Sequence, residues 1–243
     1  MGKDDKIVSM AGNPIYRHEE RTNGFDLAVG DGEAIEKISD HIERHIGPVA
    51  SVFHELISDQ VHIDVHYVAP RDDRPVHTLI TSGMSDLPMT LPEGVDAPRY
   101  MELMITLPAS WQVSEEAFQD PAWYWPVRQL KFLARFPHLY STWLGWAHTM
   151  PNGNPPEPYA PNTSLMGALL LPSLFAPVEF RALVMGPEKS VQFLSIWTLY
   201  EEEMNYKLRK GAEALVDRFE KYQIDDRVQL KRRNVAKKRF GIF

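Results

Sequence analysis

The chain has 243 residues, a formal net charge of −7 and no cysteine, which excludes disulfide bonds and any cysteine-based metal or redox centre. Hydrophobic residues make up 44% of it and charged residues 24%, as in an ordinary globular protein. Residues 207–243 hold 12 Lys/Arg and 5 Asp/Glu, a net of +7, which leaves 14 Lys/Arg against 28 Asp/Glu, or −14, in the rest. Such an acidic body argues against a nucleic-acid-binding domain.

Residues 1–30 come first and are predicted to form a loose N-terminal arm, because they are polar and show no sustained hydrophobic period. No apolar stretch follows Met1, so we expect no signal peptide. Gly2 does not fit the myristoylation motif, because Lys6 stands where Ser or Thr is required. The longest apolar run, at 165–171, is far shorter than a membrane span. We therefore expect a cytoplasmic protein without membrane contact.

A first helix is predicted from Glu33, with Asp31 as its N-cap. The apolar residues that set its period are Ile35, Ile38, Ile42 and Ile46. Gly47 and Pro48 interrupt the pattern. It resumes at Val49, Val52, Phe53 and Leu56, which predicts a second helical segment after a bend.

The hydrophobic period then changes to two, which predicts a strand with one buried face. The alternation runs through apolar Val61, Ile63, Val65 and Tyr67 and polar His62, Asp64 and His66. Further strands are predicted at 76–81, 100–107, 144–148, 165–172, 178–184 and 191–199. A turn is predicted at 71–75, a long loop or partly strand-like edge at 82–98, and an irregular proline-rich loop at 151–161.

Three more helices are predicted in the second half of the chain. Ser114 caps a short one, a second follows Pro126 and stops at Pro137, and the third spans 201–222 despite Gly211. Helices at both ends with strands between predict an α+β fold, a mixed β-sheet flanked by helices in a single compact domain. We place this domain at residues 31–225, with a basic C-terminal tail at 226–243.

Histidines suggest one candidate metal site. His41 and His45 are four residues apart on the first helix, and His62, Asp64 and His66 share one strand face, a ligand set that suits zinc or iron. Ordinary solvated histidines are the alternative. The zinc-protease motif is absent, because its glutamate would have to stand at Ile42.

Other chemical motifs are missing. The Ser85-Asp86 turn lacks the spacing of a nucleophile elbow, and Gly83 there predicts a positive φ angle. The acidic run Glu201–Glu203 is explained by the dipole of the helix that it begins. The basic triplets at 231–233 and 237–239 remain candidate contacts for an acidic partner or for the body itself. No catalytic residue and no cofactor are predicted.

One resemblance extends over residues 33–225 and suggests what the domain does. Its motifs are His54–Ser58, His62–His66, Thr81–Met89, Glu102–Trp111, Thr142–Leu144, His148–Thr149 and Leu199–Glu203. In this order they resemble the suppressor-of-fused domain family.

The resemblance implies a mixed α/β domain without a catalytic centre that binds protein. The animal member sequesters a transcription factor by holding a peptide as an added strand, and some bacterial members neutralise secreted toxins. On this basis the edge from Leu87 to about Asp96, beside Glu102, is the implied peptide contact. Its site residues are Met84, Ser85, Asp86, Leu87 and Glu102. Pro88 and Pro92 cannot donate ladder hydrogen bonds there.

We therefore expect a non-catalytic protein-binding module, an immunity or regulatory protein that sequesters a partner. The first alternative is a metal-dependent enzyme that uses the histidine cluster. The second, ranked last, is nucleic-acid binding through the basic tail.

Overall fold

The computed structural model describes residues 7–18, 26–55 and 58–237. Within these ranges an eight-stranded mixed sheet has the order β1-β2-β3-β4-β8-β6-β5, and β7 pairs with the start of β8. The strands are β1 (Val49–Phe53), β2 (Asp64–Val68), β3 (Val76–Ser82), β4 (Tyr100–Pro108), β5 (Thr149–Pro151), β6 (Gly167–Leu171), β7 (Ala182–Val184) and β8 (Ser190–Leu199). The helices are α1 (Gly32–His45), α2 (Pro121–Leu139), α3 (Glu201–Lys210) and α4 (Ala212–Lys221). The predicted α+β fold, a mixed sheet flanked by helices in a single compact domain, is confirmed.

Helices cover both faces of the sheet. On one face, α2 packs against alternate residues of β4 such as Leu103 and Ile105. On the other face, α1 covers Met104. The pair α3 and α4 packs on that face too, against a separate cluster that includes Trp197. β4 pairs antiparallel with β3 and parallel with β8, so it lies in the middle of the sheet rather than at an edge.

The first predicted helix is confirmed, and the second is wrong. Asp31 caps α1 by accepting hydrogen bonds from the backbone N–H groups of Glu33 and Ala34. Residues 49–53 form β1, paired antiparallel with β2, although their apolar spacing also fits a helix. Pairing with a neighbouring strand outweighs local periodicity here. Leu56, the last residue of that pattern, lies outside the described residues.

The strand predicted around Val65 exists, but it does not have one solvated face. Asp64 and His66 are both about as buried as the apolar residues beside them, at 2% and 1% exposure. The cause is that β2 is an inner strand covered on both sides. The turn at 71–75 and the strands at β3 and β4 lie where the sequence predicts them.

Two prolines expected outside the central helix lie within it. α2 begins at Pro121, continues through Pro126 and ends at Leu139, two residues beyond Pro137. A proline in a helix interior removes one backbone hydrogen bond. The buried face of α2 compensates, because tertiary packing overrides local propensity.

Four further predictions need correction. Residues 144–148 are loop, and the short strand β5 begins one residue later. The segment 178–184 divides into a 3-10 turn at Val178–Arg181 and the strand β7. The helix predicted over 201–222 breaks at Gly211, whose φ of +91° ends α3 before α4 begins. The segment after Ser114 forms a 3-10 turn at Ala117–Gln119 rather than an α-helix, and the hydroxyl of Ser114 accepts a hydrogen bond from the N–H of Ala117.

The segment after α4 packs back onto the domain. Asp226 is buried and accepts hydrogen bonds from the hydroxyls of Ser173, Ser195 and Thr106. Arg232, the middle residue of the first basic triplet, is also buried. Part of the tail therefore contacts the body itself, while the boundaries at residues 30 and 225 remain predictions. None of the described helices is both long and apolar enough to cross a membrane.

Candidate protein-binding turn

The candidate turn, residues 83–87, leaves the sheet directly after β3. Gly83 has a φ of +98°, which favours glycine, and a Cβ atom there would lie 1.8 Å from the carbonyl oxygen of His62. A single 3-10 turn follows at Met84–Asp86, and Leu87 returns to extended backbone. The sequence therefore requires glycine at this position for two reasons, conformation and space.

Glu102 holds the turn from the interior. One carboxyl oxygen accepts hydrogen bonds from the backbone N–H (2.9 Å) and the hydroxyl (2.7 Å) of Ser85, and the other accepts from the hydroxyl of Thr81 (2.6 Å). The side chain is fully buried, and this burial raises the pKa of Glu102 to about 7, although the three donors act in the opposite direction. A buried carboxyl with three donors is a rigid anchor.

Two more contacts fix the turn to its surroundings. His138, on α2, lies with Nε2 2.9 Å from the carbonyl oxygen of Met84. The backbone N–H of Asp31, the residue that caps α1, donates to Oδ2 of Asp86 (3.2 Å). Burial raises the pKa of Asp86, and the N–H of Asp31 opposes that rise. The turn is therefore held by β4, α2 and the start of α1.

The five predicted site residues are brought together, but they differ in exposure. Met84, Ser85 and Glu102 are fully buried, Asp86 is half-buried, and Leu87 is 43% exposed. Direct contact with a partner therefore falls to Asp86 and Leu87, while the other three support the turn. That any of them contacts a partner remains a prediction.

The segment after the turn is loop at the end of the sheet, and the implied strand-like edge is not formed. The N–H of Met89 donates to the carbonyl of Arg99, and that of Thr90 to the carbonyl of Thr142. The backbone of this loop is thus partly occupied by the protein itself. A partner strand adding along its whole length would have to displace these bonds.

A second loop, residues 141–147, lies beside the turn and was not linked to it by sequence reasoning. The N–H of Leu144 contacts the sulfur of Met89 (3.4 Å). The loop is bounded by two non-glycine residues with positive φ, Ser141 (+47°) and Ala147 (+62°), and between them Trp146 is 57% exposed. An exposed tryptophan on a constrained loop is the kind of side chain that anchors protein interfaces.

The histidines of the candidate metal site are not brought together. Nε2 of His41 lies 3.1 Å from the carbonyl oxygen of Phe180, and Nε2 of His66 lies 2.9 Å from the hydroxyl of Ser82. His45 contacts the ring of His41, but His62 instead lies beside Asp64. In the described ranges, no three His, Asp or Glu side chains converge as metal ligands.

A hydrogen-bonded array next to the turn was missed by sequence reasoning. The hydroxyl of Ser58 lies 2.7 Å from Nδ1 of His62, whose Nε2 lies 3.1 Å from Asp64. This order of groups resembles a hydrolase triad, but Ser58 is only 2% exposed and its hydroxyl also donates to Glu55. Burial tends to raise the pKa of Glu55, but the hydrogen bond and charge of Arg135 outweigh it and leave the pKa lowered. The array joins β2 to α2, and the hydroxyl that would act as nucleophile is buried within it.

Comparison with protein families gives one match. The family model described as suppressor of fused protein matches residues 59–233. No curated protein matches the chain at a significant level.

Solved structures share the fold at low sequence identity. A suppressor of fused homologue from Neisseria gonorrhoeae is 14% identical, with a TM-score of 0.65, and the match covers 86% of this chain and 100% of that one. Sufu in a Sufu–Fu complex is 15% identical, with a TM-score of 0.59 and coverage of 83% and 92%. Drosophila Suppressor of Fused is 15% identical, with a TM-score of 0.51 and coverage of 76% and 45%.

Proposed function

The chain belongs to the suppressor of fused family, and from that membership we propose that it is a non-catalytic module that binds and sequesters a protein partner. The fold of this family is generally protein-binding and non-catalytic. A related structure holds Sufu together with Fu, so this fold contacts protein in at least one relative. The histidines of the alternative metal-dependent enzyme are separated in the structure, and no observation favours that function.

The observation that carries the proposal is the way in which the buried carboxyl of Glu102 supports an exposed Leu87. Ser85, two residues earlier, makes two hydrogen bonds to that carboxyl, so the position of Leu87 is largely fixed before any partner arrives. A turn whose backbone is already fixed loses little conformational entropy on binding. The rigid turn therefore suits a recognition surface.

Trp146 provides the second anchor of the proposed surface. Its loop contacts the segment after the turn through Leu144 and Met89, so the chain segments that carry the two exposed apolar residues touch each other. An exposed tryptophan anchors an interface by filling an apolar pocket of the partner, and an exposed leucine adds apolar area beside it. The partner would thus present an apolar surface to these two segments.

The charge of the body points to a basic partner. Residues 1–206 carry a net charge of −14, which would speed the association with a basic protein through long-range attraction. A cytoplasmic immunity protein that neutralises a basic toxin fits this chemistry, and so does a regulator that sequesters a basic protein. Both are versions of the same binding activity.

Capture of the partner from the native cell lysate, followed by mass spectrometry, tests the proposal. Leu87→Asp and Trp146→Ala are compared with wild type, and Val184→Asp on β7 is the matched control because Val184 is also exposed (74%). We expect one stoichiometric protein with wild type and the control, and at least a tenfold loss with Leu87→Asp. Equal capture by Leu87→Asp, shown to be folded by circular dichroism, would contradict the proposed site.

A further inference from the structure

A second polar feature lies at the turn between β2 and β3, away from the protein-binding turn. Arg71 and Arg74 exchange two backbone hydrogen bonds there (both 3.0 Å) and so close a tight turn. The side chain of Arg74 passes inward and donates from Nε to the carbonyl oxygen of Phe175 (3.1 Å). Its guanidinium is thereby fixed beside the segment that follows β6.

The outer end of this guanidinium has no acceptor. Nη1 and Nη2 of Arg74 are shielded from solvent, and neither has a hydrogen-bond partner in the part of the chain that the structure describes. The two neighbouring arginines are satisfied by carboxylates, Arg71 by Asp73 and Arg227 by Asp225. Arg74 therefore differs from both in carrying free donors in a buried position.

Asp226 is near enough to influence Arg74 electrostatically but makes no hydrogen bond to it. Its carboxylate accepts hydrogen bonds from three hydroxyls and from the backbone N–H of Leu174. Burial and the charge of Arg71 lower the pKa of Arg74 to about 10, although Asp226 raises it. Buried guanidinium donors without hydrogen-bond acceptors are costly even with a carboxylate in electrostatic range, and an anion on those donors would remove that cost.

We propose that the free Nη1 and Nη2 fork of Arg74 binds a small oxyanion, either a carboxylate or a phosphate. Two parallel N–H groups of a guanidinium match two oxygens of such a group. With Nε held by Phe175, the fork is already oriented, which lowers the entropy lost on binding. Arg74 as a whole is half-buried between exposed Asp73 and Pro75, so only these turn residues separate the shielded fork from solvent on that side, and an anion reaches it by displacing them.

A second unsatisfied group supports the polar character of this region. Thr78 is fully buried and its hydroxyl has no partner among the described residues. It lies directly opposite Thr106 in the register of β3 and β4, and Thr106 donates to Asp226. Leu174, whose N–H donates to Asp226, is 64% exposed, so an anion that carries an apolar group has an apolar surface to contact.

Thermal unfolding tests the proposal with acetate and phosphate as probes, each compared with chloride at the same ionic strength and pH. We expect at least one oxyanion to raise the Tm of wild type by about 3 °C more than that of Arg74→Lys, which keeps the charge but loses the fork. Phosphate also stabilises proteins by exclusion from their surface, so the difference between the two proteins is the measure. Arg209→Lys, at an exposed position on α3, is the matched control and keeps the full gain.

A gain with acetate alone identifies a carboxylate, and one with phosphate alone a phosphate. Equal gains in wild type and Arg74→Lys, or none in either, would overturn the proposal and leave the fork to bound water. If Arg74→Lys does not fold, the Nε–H resonance of Arg74 in wild type replaces it. We then expect the chemical shift of that resonance to change when an oxyanion is added and to stay constant with chloride. A chemical shift that changes with neither anion would also overturn the proposed site.

Discussion

The carboxyl group of Glu102 accepts hydrogen bonds from both the backbone N–H and the hydroxyl of Ser85. The two residues are 17 positions apart, one near the start of the central strand β4 and the other on the turn beyond β3. Because this contact joins the turn to a buried inner strand, the turn takes its shape from the tertiary structure. The position of Leu87, the proposed contact residue, is thus coupled to the stability of the domain.

Removal of the Glu102 carboxyl tests this coupling directly. Glu102→Ala leaves the N–H and hydroxyl of Ser85 without their acceptor in a fully buried place. We expect the free energy of unfolding in urea to fall by about 2–4 kcal/mol. Glu188→Ala, at an exposed position, should change it by less than about 0.5 kcal/mol. Similar values for the two variants would show that the turn does not depend on Glu102.

The raised pKa of Glu102 predicts a pH dependence of stability. Between its ordinary value of 4.5 and about 7, the folded protein keeps a proton on Glu102 that the unfolded chain releases. Its contribution is therefore fully present below about pH 4.5 and is lost as the pH rises through about 7. The loss is on the order of 3 kcal/mol.

The variant Glu102→Gln separates the pH dependence caused by Glu102 from the opposite pH dependence caused by buried histidines. Burial lowers the pKa of His66 and of His148 to about 4, and these groups make stability rise with pH over part of the same range. They are present in both proteins, so they cancel when the variant is subtracted from wild type. Urea unfolding at several pH values should show that difference falling from pH 4.5 to 7.5. A difference that stays flat with pH would refute the raised pKa.

A comparison of Gly83 with Gly94 separates the two reasons for a glycine, its freedom to adopt a positive φ and the lack of space for a Cβ atom. Both have positive φ, but a Cβ atom at Gly83 would meet the carbonyl oxygen of His62, whereas one at Gly94 meets nothing within 4 Å. We expect Gly94→Ala to lower the free energy of unfolding by about 1 kcal/mol, because of backbone strain, and Gly83→Ala to lower it clearly more. Thermal unfolding measures both. Equal costs would mean that the turn can move away from His62.

Elements with a strong local signal could be predicted from the sequence. Asp31 followed by the apolar spacing of α1, and the alternation around β3 and β4, are such signals. The spacing of Val49, Val52 and Phe53 fits a helix and a strand alike, and only the pairing with β2 decides between them. Pro126 in α2 is a similar case, because a local rule was overridden by burial.

The residues of the candidate turn and Glu102 could be named from the sequence, but the other contacts that support the turn could not. Ser85 and Asp86 stand within a recognisable motif, whereas His138 reaches Met84 from 54 residues away and no local pattern announces it. The same holds for the loop of Trp146, whose contact with Met89 spans 55 residues. Contacts of this length depend on how the elements pack, which a single sequence does not reveal.

The basic triplet at 231–233 has a structural role, because its middle residue, Arg232, is part of the core. Arg232 forms an ion pair with Glu203 (2.6 Å), with side-chain exposures of 2% and 0%, and also donates to the carbonyl of Thr198. Arg232→Met leaves Glu203 as an uncompensated buried charge, so we expect a loss of about 3–5 kcal/mol in urea unfolding. Lys231→Met, next to it but exposed, should change stability by less than about 0.5 kcal/mol.

The double variant Arg232→Met/Glu203→Met distinguishes the contribution of the ion pair from that of the other hydrogen bonds made by the two residues. If the cost of the single variant comes from the stranded carboxylate, replacing both charges with apolar side chains should restore most of the loss, since buried ion pairs contribute little net stability against an apolar pair. If the double variant is as unstable as the single one, the other hydrogen bonds of Arg232 and Glu203 are what matter. Those include the bonds from Arg232 to Thr198 and from the N–H of Val235 to Glu203, which attach the last described segment to α3 and β8. In that case the C-terminal segment should also become more sensitive to proteolysis than the rest of the domain.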